Sequence, residues 1–485
     1  MNYGILIAVI AYELITILGV GYLISRKEKH AATEGESFIL AGRGMGTVSF
    51  ACTLALTILG AGHIWGACQN GWDYGAIAIW FGIGAVVCIC ILTQLTGPIA
   101  RRLGVSTVPE LAGLLYGEKM RTVVAVVTAP LMFGFLMLET QGLGITIAAI
   151  TGWSVPFSAL VGGILGILYV IFAGMKEIAK LNIINAVVMY IGLFIVAISF
   201  TGVLPGGWAG VAENYVAAGL ERYLNIVGDP ELIMSFAISS VLCFICFHSI
   251  SQMCLQPAMS AKDTPSIKKS IWIAAPLNGL FCIIPACIGM AARSDPAYEA
   301  LGSGLAPAVF IVDKLPPWVV VLIMAAFLGA LLSTFAMASL CPATLFAKDI
   351  YAKLYKPNAT DTEQIRVIRI VIVILGAIAI GGSALQPNIT SVMNWVFMFS
   401  MPIFVMVIIG LFWKCSYRAA IITMVVGWIT NIVWTMTPLA DLLGTVHAAY
   451  IVLPVCVVLG VILTAACPGN LGLFRMKNGK PAERT

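Results

Sequence analysis

The chain has 485 residues, of which 60% are hydrophobic and only 10% are charged, with a formal net charge of +5. Soluble domains carry about a quarter of their residues as charged side chains, so this composition excludes an ordinary soluble protein. Apolar runs of about 20 residues, long enough to cross a bilayer as helices, recur along the whole chain. We therefore expect an all-α polytopic membrane protein with a single membrane domain.

Thirteen apolar runs are predicted to be transmembrane helices. In chain order they are residues 4–24, 47–70, 74–97, 122–148, 154–174, 182–204, 233–256, 269–292, 317–346, 367–386, 391–412, 418–437 and 448–467. Charged residues, rather than a small-residue cleavage site, follow the first run, so we interpret it as a retained helix and not as a signal peptide.

The positions of Lys and Arg predict the orientation, because cytoplasmic loops carry an excess of these residues. With the N-terminus outside, all but three of the 27 basic residues fall in inside segments, the exceptions being Arg222, Arg293 and Lys314. The C-terminus is then cytoplasmic, and the net positive charge indicates topology rather than a nucleic-acid partner. We expect a multi-pass protein of the plasma membrane, of the bacterial inner-membrane type.

Helices two to six and helices seven to eleven form two units of five. Because five is an odd number, two such units in tandem must have opposite orientations in the membrane. Inverted repeats are typical of secondary transporters, whose site lies near the midplane between the repeats. The predicted organisation is an extra N-terminal helix with its cytoplasmic loop (1–46), repeat one (47–204), an extracellular loop (205–232), repeat two (233–413), and two C-terminal helices with a cytoplasmic tail (414–485).

This architecture predicts a break in the first helix of each repeat. In helix two, Gly60, Gly62 and Gly66 stand in the middle of the span, and glycine weakens a helix. The alternative is that these glycines allow close packing between helices. Helix seven has no Gly or Pro in its interior, and only the polar patch "HSISQ" (248–252) marks a place where its break could lie.

Two adjacent hydroxyl residues, Ser333 and Thr334, stand in the middle of helix nine, one turn after Ala330. Residues three and four apart share a helix face, so the three converge. Such hydroxyls can bond back to the preceding turn or offer oxygen to a hard cation, and the triplet alone leaves both possibilities open. Sodium carries a single charge, so neutral hydroxyls and carbonyls can bind it without a carboxylate.

Six short motifs follow one another along nearly the whole chain. They are "SFILAGRGMG" (37–46), "GVSTVPELAGLLYG" (104–117), "AGMKEIAKLNIIN" (173–185), "LQPAMSAKD" (255–263), "ATLFAKDIY" (343–351) and "GLFWK" (410–414). Together with the predicted topology, they make the chain resemble the solute:sodium symporter family. That resemblance implies a LeuT-like core of 5+5 inverted-repeat helices with extra helices at both ends.

The resemblance also implies a sodium site between the first and eighth core helices. Matched to the family pattern, backbone carbonyls for the ion fall on Leu56, Leu59 and Ala330, and the two hydroxyls fall on Ser333 and Thr334. Backbone oxygens do not depend on the side chain, so the leucines are compatible with this site. Sodium is the only cofactor or coupling ion that we expect.

Three residues depart from the family pattern. Asn182 stands where many members have Asp in the fifth core helix. Ala336 and Met337 stand where members with a second sodium ion have serines. The resemblance therefore implies one sodium ion rather than two.

Polar residues at membrane depth are costly, so they are candidates for solute binding. His63 lies in the predicted break of helix two and His248 in helix seven, where the family fold brings the two helices together; the alternative is two core histidines bonded to backbone carbonyls. In helix four, Glu139 could meet an ammonium group or a protonated histidine, or else reach water at the outer interface. The predicted solute-binding set is completed by Gly60, Gly62, Gln141, Ser249, Gln252, Asn394 and Trp395.

This mixture of imidazoles, one carboxylate and amides favours a small polar organic solute, carboxylate or amino-acid-like, over a sugar. We expect sodium-coupled symport of that solute by alternating access. The alternative is a proton-coupled or sodium-independent transporter that uses Glu139, His63 and His248. The chain has no zinc motif, nucleophile elbow or phosphate loop, so we do not expect an enzyme, while the sequence leaves a channel open.

Overall fold

The computed structural model describes residues 3–27, 38–172, 175–439 and 446–475. The predicted inside loop 28–37, residues 173–174 of one family motif and the predicted cytoplasmic tail 476–485 lie outside the described residues. In repeat one and the helix before it, the helices are α1 (Tyr3–Lys27), α2 (Thr47–Ile58), α3 (Ala67–Tyr74), α4 (Trp80–Ile91), α5 (Gly97–Leu103), α6 (Val108–Tyr116), α7 (Glu118–Thr151), α8 (Val155–Phe172) and α9 (Met175–Val203).

The remaining helices follow the loop between the repeats. They are α10 (Gly207–Ala217), α11 (Pro230–Leu232), α12 (Ile238–His248), α13 (Gln252–Ser260), α14 (Thr264–Lys269), α15 (Ile271–Phe281), α16 (Ile283–Arg293), α17 (Gly302–Lys314), α18 (Pro317–Leu345), α19 (Asp361–Ser383), α20 (Ile389–Met398), α21 (Met401–Phe412), α22 (Tyr417–Met436) and α23 (Ala449–Ala466). Two short strands, β1 (Lys414–Cys415) and β2 (Asn470–Leu471), pair antiparallel. Single π-helical segments join several helices, at Gly62–Gly66, Leu92–Thr96, Ile233–Ala237 and Phe346–Tyr355.

Within the described residues, ten helices are long and apolar enough to cross a membrane. Three shorter apolar helices, Tyr3–Thr16, Thr47–Ile58 and Val155–Ile171, occupy further predicted spans. The prediction of a multi-pass, all-α membrane protein is confirmed. The count of thirteen spans stays a prediction, because length and composition alone support ten.

Helix two is broken, as its glycines predicted. Helix α2 ends at Ile58, and Leu59 leaves the helical conformation with φ −81° and ψ 54°. The chain bends at Gly60 and resumes through the π-helical segment Gly62–Gly66 into α3. A side chain at Gly60 would overlap the carboxylate of Glu139, and one at Gly62 would overlap the sulfur of Met393. Glycine at both positions therefore allows these side chains to approach the backbone closely.

Helix seven is broken inside the polar patch. Helix α12 ends at His248, and α13 begins at Gln252. Ser251 has an extended backbone, and its hydroxyl accepts a hydrogen bond from the Cys254 N–H at 3.4 Å, so it caps α13. Serine is a preferred N-cap residue. Helix seven is therefore interrupted by the N-cap of α13, without a glycine or a proline at the break.

The long helix α18 occupies the centre of the bundle. Every residue from Ile323 to Leu345 is buried, which fits a helix that is apolar on all sides. It packs against α7, α9 and α1, the helix that precedes the repeats. Polar groups on α18 are therefore shielded from lipid and water, and each needs a partner inside the protein.

At the end of the bundle that the charge pattern predicts to lie outside, α3 and α16 touch backbone to backbone. A side chain added at Gly71 would meet the backbone of Ala286, and one at Gly289 would meet the backbone of Cys68. The Arg293 guanidinium extends the contact by donating to the Trp72 carbonyl. The two helices are thus in direct contact at this end of the bundle.

We predict that Gly289→Ala separates α3 from α16 and lowers the stability of the protein. The added methyl group has no room because its neighbours are backbone atoms, and overpacking of this kind costs about 1–3 kcal/mol. The melting temperature of the purified protein measures the effect. Gly202→Ala is the matched control, since nothing lies within 4 Å of a side chain there; an equal melting temperature for both variants would contradict the contact.

At the opposite end, three of the six motifs meet. Arg43 donates to the Gly104 carbonyl at 2.9 Å, and Met45 forms a β-bridge with Ala261. The Gln252 side chain accepts from the Val108 N–H at 2.8 Å. These contacts make the three motifs parts of one layer, to which the second half of broken helix seven is joined through Gln252.

Candidate functional site

The predicted sodium-binding residues lie where α18 passes the break in helix two. The Thr334 hydroxyl donates to the Leu56 carbonyl at 2.7 Å and is 3.2 Å from the Ala330 carbonyl. Ser333 and Thr334 are both buried. Three of the five predicted oxygens therefore meet across the α2–α18 contact.

Leu59, the fourth of these residues, is the point at which α2 ends. Its ψ of 54° turns its carbonyl away from the direction of the helical carbonyls. Carbonyls at a helix end lack the partners of the helix interior and are the ones free to bind another group. The break thus offers backbone oxygen beside Leu56, and this donor set fits a hard monovalent cation.

The fifth residue, Ser333, faces a different helix. Its hydroxyl donates to the Asn182 side-chain oxygen in α9 at 2.7 Å, and the Asn182 Nδ2 atom is buried with no partner. A hydroxyl that donates its proton keeps lone pairs for a cation. Ala336 and Met337, one turn further along α18, are buried and carry no side-chain oxygen.

Glu139 holds the break open rather than reaching water. Both carboxylate oxygens accept from the Ala61 N–H at 3.0 Å, and the residue is only 2% exposed. The carboxylate therefore caps the second half of the broken helix, where the unpaired N–H groups and the helix dipole favour negative charge. The alternative of an interfacial glutamate is excluded.

The two histidines lie together in an aromatic cluster. The Phe244 ring contacts both, with centroid distances of 5.2 Å to His63 and 3.9 Å to His248. His248 Nδ1 lies 3.3 Å from the Phe244 carbonyl, as in a core histidine. His63 Nε2 is buried with no hydrogen-bond partner, so this atom is free to bind a solute.

Four further candidates carry buried polar atoms without partners. Gln141 donates to the Pro387 carbonyl at 3.0 Å and Asn394 lies 3.4 Å from the Ser240 hydroxyl, while the side-chain oxygen of each is unpaired. The Ser249 hydroxyl and the Trp395 Nε1 atom are also unpaired. These atoms belong to the break of helix seven and to α7 and α20, elements that surround the aromatic cluster.

Gln252 does not belong with this group. Its amide oxygen accepts from the Val108 N–H, and its nitrogen donates to the Gln256 side chain at 3.0 Å and the Ser106 carbonyl at 3.3 Å. Two of these three hydrogen bonds hold the 104–117 motif, and the third stays within α13. The assignment of Gln252 to solute binding stays a prediction; in the structure its amide joins α13 to the 104–117 motif.

The aromatic walls of the site were not predicted from the sequence. Phe81, Phe397 and Phe247 pack around the histidines, with centroid distances of 4.8 Å for Phe81 to His63 and for Phe397 to His248. The spacing of Phe244 and His248 places them on one helix face, so part of this cluster was visible in the sequence. The contribution of Phe81 and Phe397 depends on the tertiary fold.

Two broken helices that face each other at the centre of an apolar bundle define a membrane transporter. The sequence profile of the Sodium:solute symporter family matches residues 38–427. The chain belongs to that family, as its motifs predicted, and the members compared here are transporters and not enzymes.

Individual relatives are consistent with membership of this family. The chain is 26% identical over 465 residues to a sodium/glucose cotransporter of Vibrio parahaemolyticus, covering 86% of this chain and 83% of the relative. It is 22% identical over 392 residues to high-affinity choline transporter 1 of Drosophila melanogaster, covering 78% of this chain and 61% of the relative. Its fold is similar to that of a substrate-bound, outward-open, Na⁺-coupled sialic acid symporter, with a TM-score of 0.79, 16% identity and coverage of 97% and 98% of the two chains.

Proposed function

We propose that this protein is a sodium-coupled symporter that moves a small polar organic solute across the plasma membrane, with one sodium ion per cycle. The observation that carries the proposal is the meeting of the Thr334 hydroxyl with the carbonyls of Leu56 and Ala330 at the break of helix two. The proposed orientation places the N-terminus outside and the C-terminus in the cytoplasm. The proposed repeats are residues 47–204 and 233–413.

Sodium would couple to the solute through the break. The proton of the Thr334 hydroxyl now lies between two oxygens that a cation would use, so ion binding replaces this hydrogen bond with ligand bonds. The ion then ties α18 to Leu56 and Leu59 and orders the segment that carries His63. Coupling equals the difference in sodium affinity between conformations, so an ion held better by the outward-open state favours solute binding there.

The solute class follows from the unpaired atoms. The unpaired Trp395 Nε1–H and Ser249 hydroxyl can donate to a carboxylate. The free oxygens of Gln141 and Asn394 can accept from an ammonium group, and so can His63 Nε2, because the other nitrogen of that ring bonds a backbone carbonyl. The phenylalanine rings supply an apolar wall between them. This combination favours a carboxylate or an amino-acid-like zwitterion. The names of two relatives give glucose, which is neutral, and choline, which is a cation. Because these relatives point to solutes of different charge, the proposed solute class depends on the residues of this chain.

Proton coupling through Glu139, His63 and His248 is the second candidate. The buried carboxylate of Glu139 favours it. Against it, both carboxylate oxygens hold the Ala61 N–H, so protonation during the cycle would weaken the cap of the break. We therefore assign Glu139 to positioning and sodium to coupling.

A thermal-stability screen of the purified protein tests the function. Small carboxylates, amino acids and sugars are compared in sodium and in potassium at equal ionic strength. A ligand at about a hundred times its dissociation constant raises the stability by about 2.7 kcal/mol. We expect a carboxylate or zwitterion that stabilises only in sodium. Equal stabilisation in both salts would contradict sodium coupling.

We predict that His63→Phe abolishes stabilisation by the solute found in the screen and leaves stabilisation by sodium alone intact. Phenylalanine preserves the packing against Phe81 and Phe244 but removes the unpaired nitrogen. His447→Phe removes an imidazole that accepts from the Ala449 N–H at 3.2 Å, so it serves as the control for the loss of a histidine with a structural hydrogen bond. Retention of full solute stabilisation in His63→Phe would remove His63 from the solute site.

A further inference from the structure

The helix that precedes the repeats carries a carboxyl group into the centre of the membrane domain. Glu13 lies in the middle of α1 and is only 6% exposed. Its Oε1 atom is buried with no hydrogen-bond partner. A buried carboxylate at membrane depth is costly without a compensating partner, so its surroundings need an explanation.

The Glu13 carboxyl group meets α9 and α18 at one point. A side-chain carbon added at Gly329 would lie 3.0 Å from Glu13 Oε1 and 3.1 Å from Asn185 Nδ2. Asn185 donates weakly to the Gly329 carbonyl at 3.4 Å, and its own side-chain oxygen is buried and unpaired. Glycine at 329 therefore keeps open the space into which both side chains project.

A fourth oxygen comes from α8. The Tyr169 hydroxyl is buried with no partner, and its ring lies within electrostatic range of Glu13. The other titratable groups that interact electrostatically here are the Tyr12 phenol, next to Glu13, and Glu177, which acts on Tyr169. None of the ion pairs formed among the described residues includes Glu13. The cluster offers oxygen and negative charge with no positive partner.

We propose that Glu13, Asn185, Tyr169 and the Gly329 carbonyl bind a monovalent metal cation. Carboxylate, amide, hydroxyl and carbonyl oxygens are the ligands that hard cations take, and a cation would neutralise the buried carboxylate and satisfy the unpaired oxygens together. Sodium is the probe ion. This site is separate from the Leu56–Thr334 site of the proposed function and from the positions of Ala336 and Met337.

The Glu13 cation site lies one helical turn from the transport site. Gly329 and Ser333 are four residues apart on α18, and Asn182 and Asn185 are three apart on α9, so each pair shares a face. Asn182 holds Ser333 and Asn185 holds Gly329 across the same helix contact. A cation at Glu13 therefore stabilises the α9–α18 contact on which Ser333 depends, and it links the extra helix to the ion site of the core.

The test is a sodium titration of thermal stability on the full-length protein. Ionic strength is held constant with N-methylglucamine, and each titration is run at two fixed pH values. The variants are wild type, Ser333→Ala with Thr334→Ala, and that double variant with Glu13→Gln added. Glu213→Gln in place of Glu13→Gln controls for the loss of one carboxylate, because Glu213 is exposed in α10.

We expect the double variant to keep a residual stabilisation by sodium, and the addition of Glu13→Gln, but not of Glu213→Gln, to abolish it. Gly329→Ala in the double-variant background is expected to abolish it as well, which covers the case in which Glu13→Gln does not fold. A parallel titration with potassium shows which monovalent ion the site prefers. A double variant with the full wild-type response would instead contradict the Leu56–Thr334 site, so the two proposals fail separately.

Three results would overturn the Glu13 cation site. The first is a double variant without any residual response to sodium or potassium. The second is a residual response that survives both Glu13→Gln and Gly329→Ala. The third is a stability that rises as the pH falls, is lost in Glu13→Gln and ignores metal ions, which would assign the carboxyl group to a proton.

Discussion

The variant that carries both Ser333→Ala and Thr334→Ala is expected to lose the coupling of transport to sodium. Thr334 contacts the Leu56 carbonyl at the break, and Ser333 presents a second hydroxyl from the adjacent position. A hydrogen-bonding group contributes about 1.5–3 kcal/mol to a charged partner. Loss of both hydroxyls therefore lowers the affinity of this site for sodium by at least about a hundredfold. Sodium-driven uptake of the solute found in the screen measures the change.

Ser339→Ala is the control for this double variant. Ser339 is a buried serine of the same helix, but its hydroxyl bonds back to the Phe335 carbonyl at 2.8 Å. Ser339→Ala removes a hydroxyl that bonds only within its own helix, so we expect it to leave sodium-driven uptake intact. If the double variant takes up solute with the sodium dependence of the wild type, the two hydroxyls are structural and the assignment of the ion site is wrong.

Glu139→Ala is expected to abolish transport and to destabilise the protein. The change leaves the Ala61 N–H buried without an acceptor, which costs about 1–3 kcal/mol, and it opens a cavity beside Gly60. The segment after the break then loses the carboxylate that holds its first N–H group. We expect the positions of Leu56, Leu59 and His63 around the break to change as a result. The melting temperature and sodium-driven uptake report the two effects separately.

The Glu139→Gln variant distinguishes two roles of Glu139, that of a helix cap and that of a proton carrier. The glutamine amide keeps one carbonyl oxygen that can accept from Ala61, so we expect partial uptake that still follows sodium. A carrier of protons would lose its function with Gln as fully as with Ala. Equal and complete loss in both variants, with folding intact, would move Glu139 from a positioning role to a coupling role.

The sequence predicted those features that depend on local pattern. Apolar runs identified the spans, and the three glycines identified the break of helix two. The break of helix seven left a weaker signal, because Ser251 interrupts the helix by capping α13, and serine is common in many other places. The spacing of Ala330, Ser333 and Thr334 predicted that the hydroxyls converge, whereas Thr334 faces α2 and Ser333 faces α9. Only the family resemblance made them a sodium site.

Long-range pairings were not accessible from the sequence. Glu139 and Ala61 are separated by 78 positions, and Ser333 and Asn182 by 151, so no local spacing connects them. Gln252 illustrates the converse: a polar residue near a break indicates solute binding by position, whereas its partners come from residues 106 and 108 of another helix. Glu13, a glutamate in the middle of the predicted span 4–24, was a signal that was not used. Its neighbours could not be inferred, because they belong to three other helices.

Uptake by the wild-type protein in liposomes, under one gradient at a time, tests the central claim most directly. The solute identified in the screen is supplied outside, first with an inward sodium gradient at equal pH, then with an inward proton gradient without sodium. Sodium-coupled symport predicts accumulation above equilibrium with the sodium gradient and only equilibration with the proton gradient. Accumulation that follows the proton gradient and ignores sodium would contradict coupling through Leu56, Ala330 and Thr334.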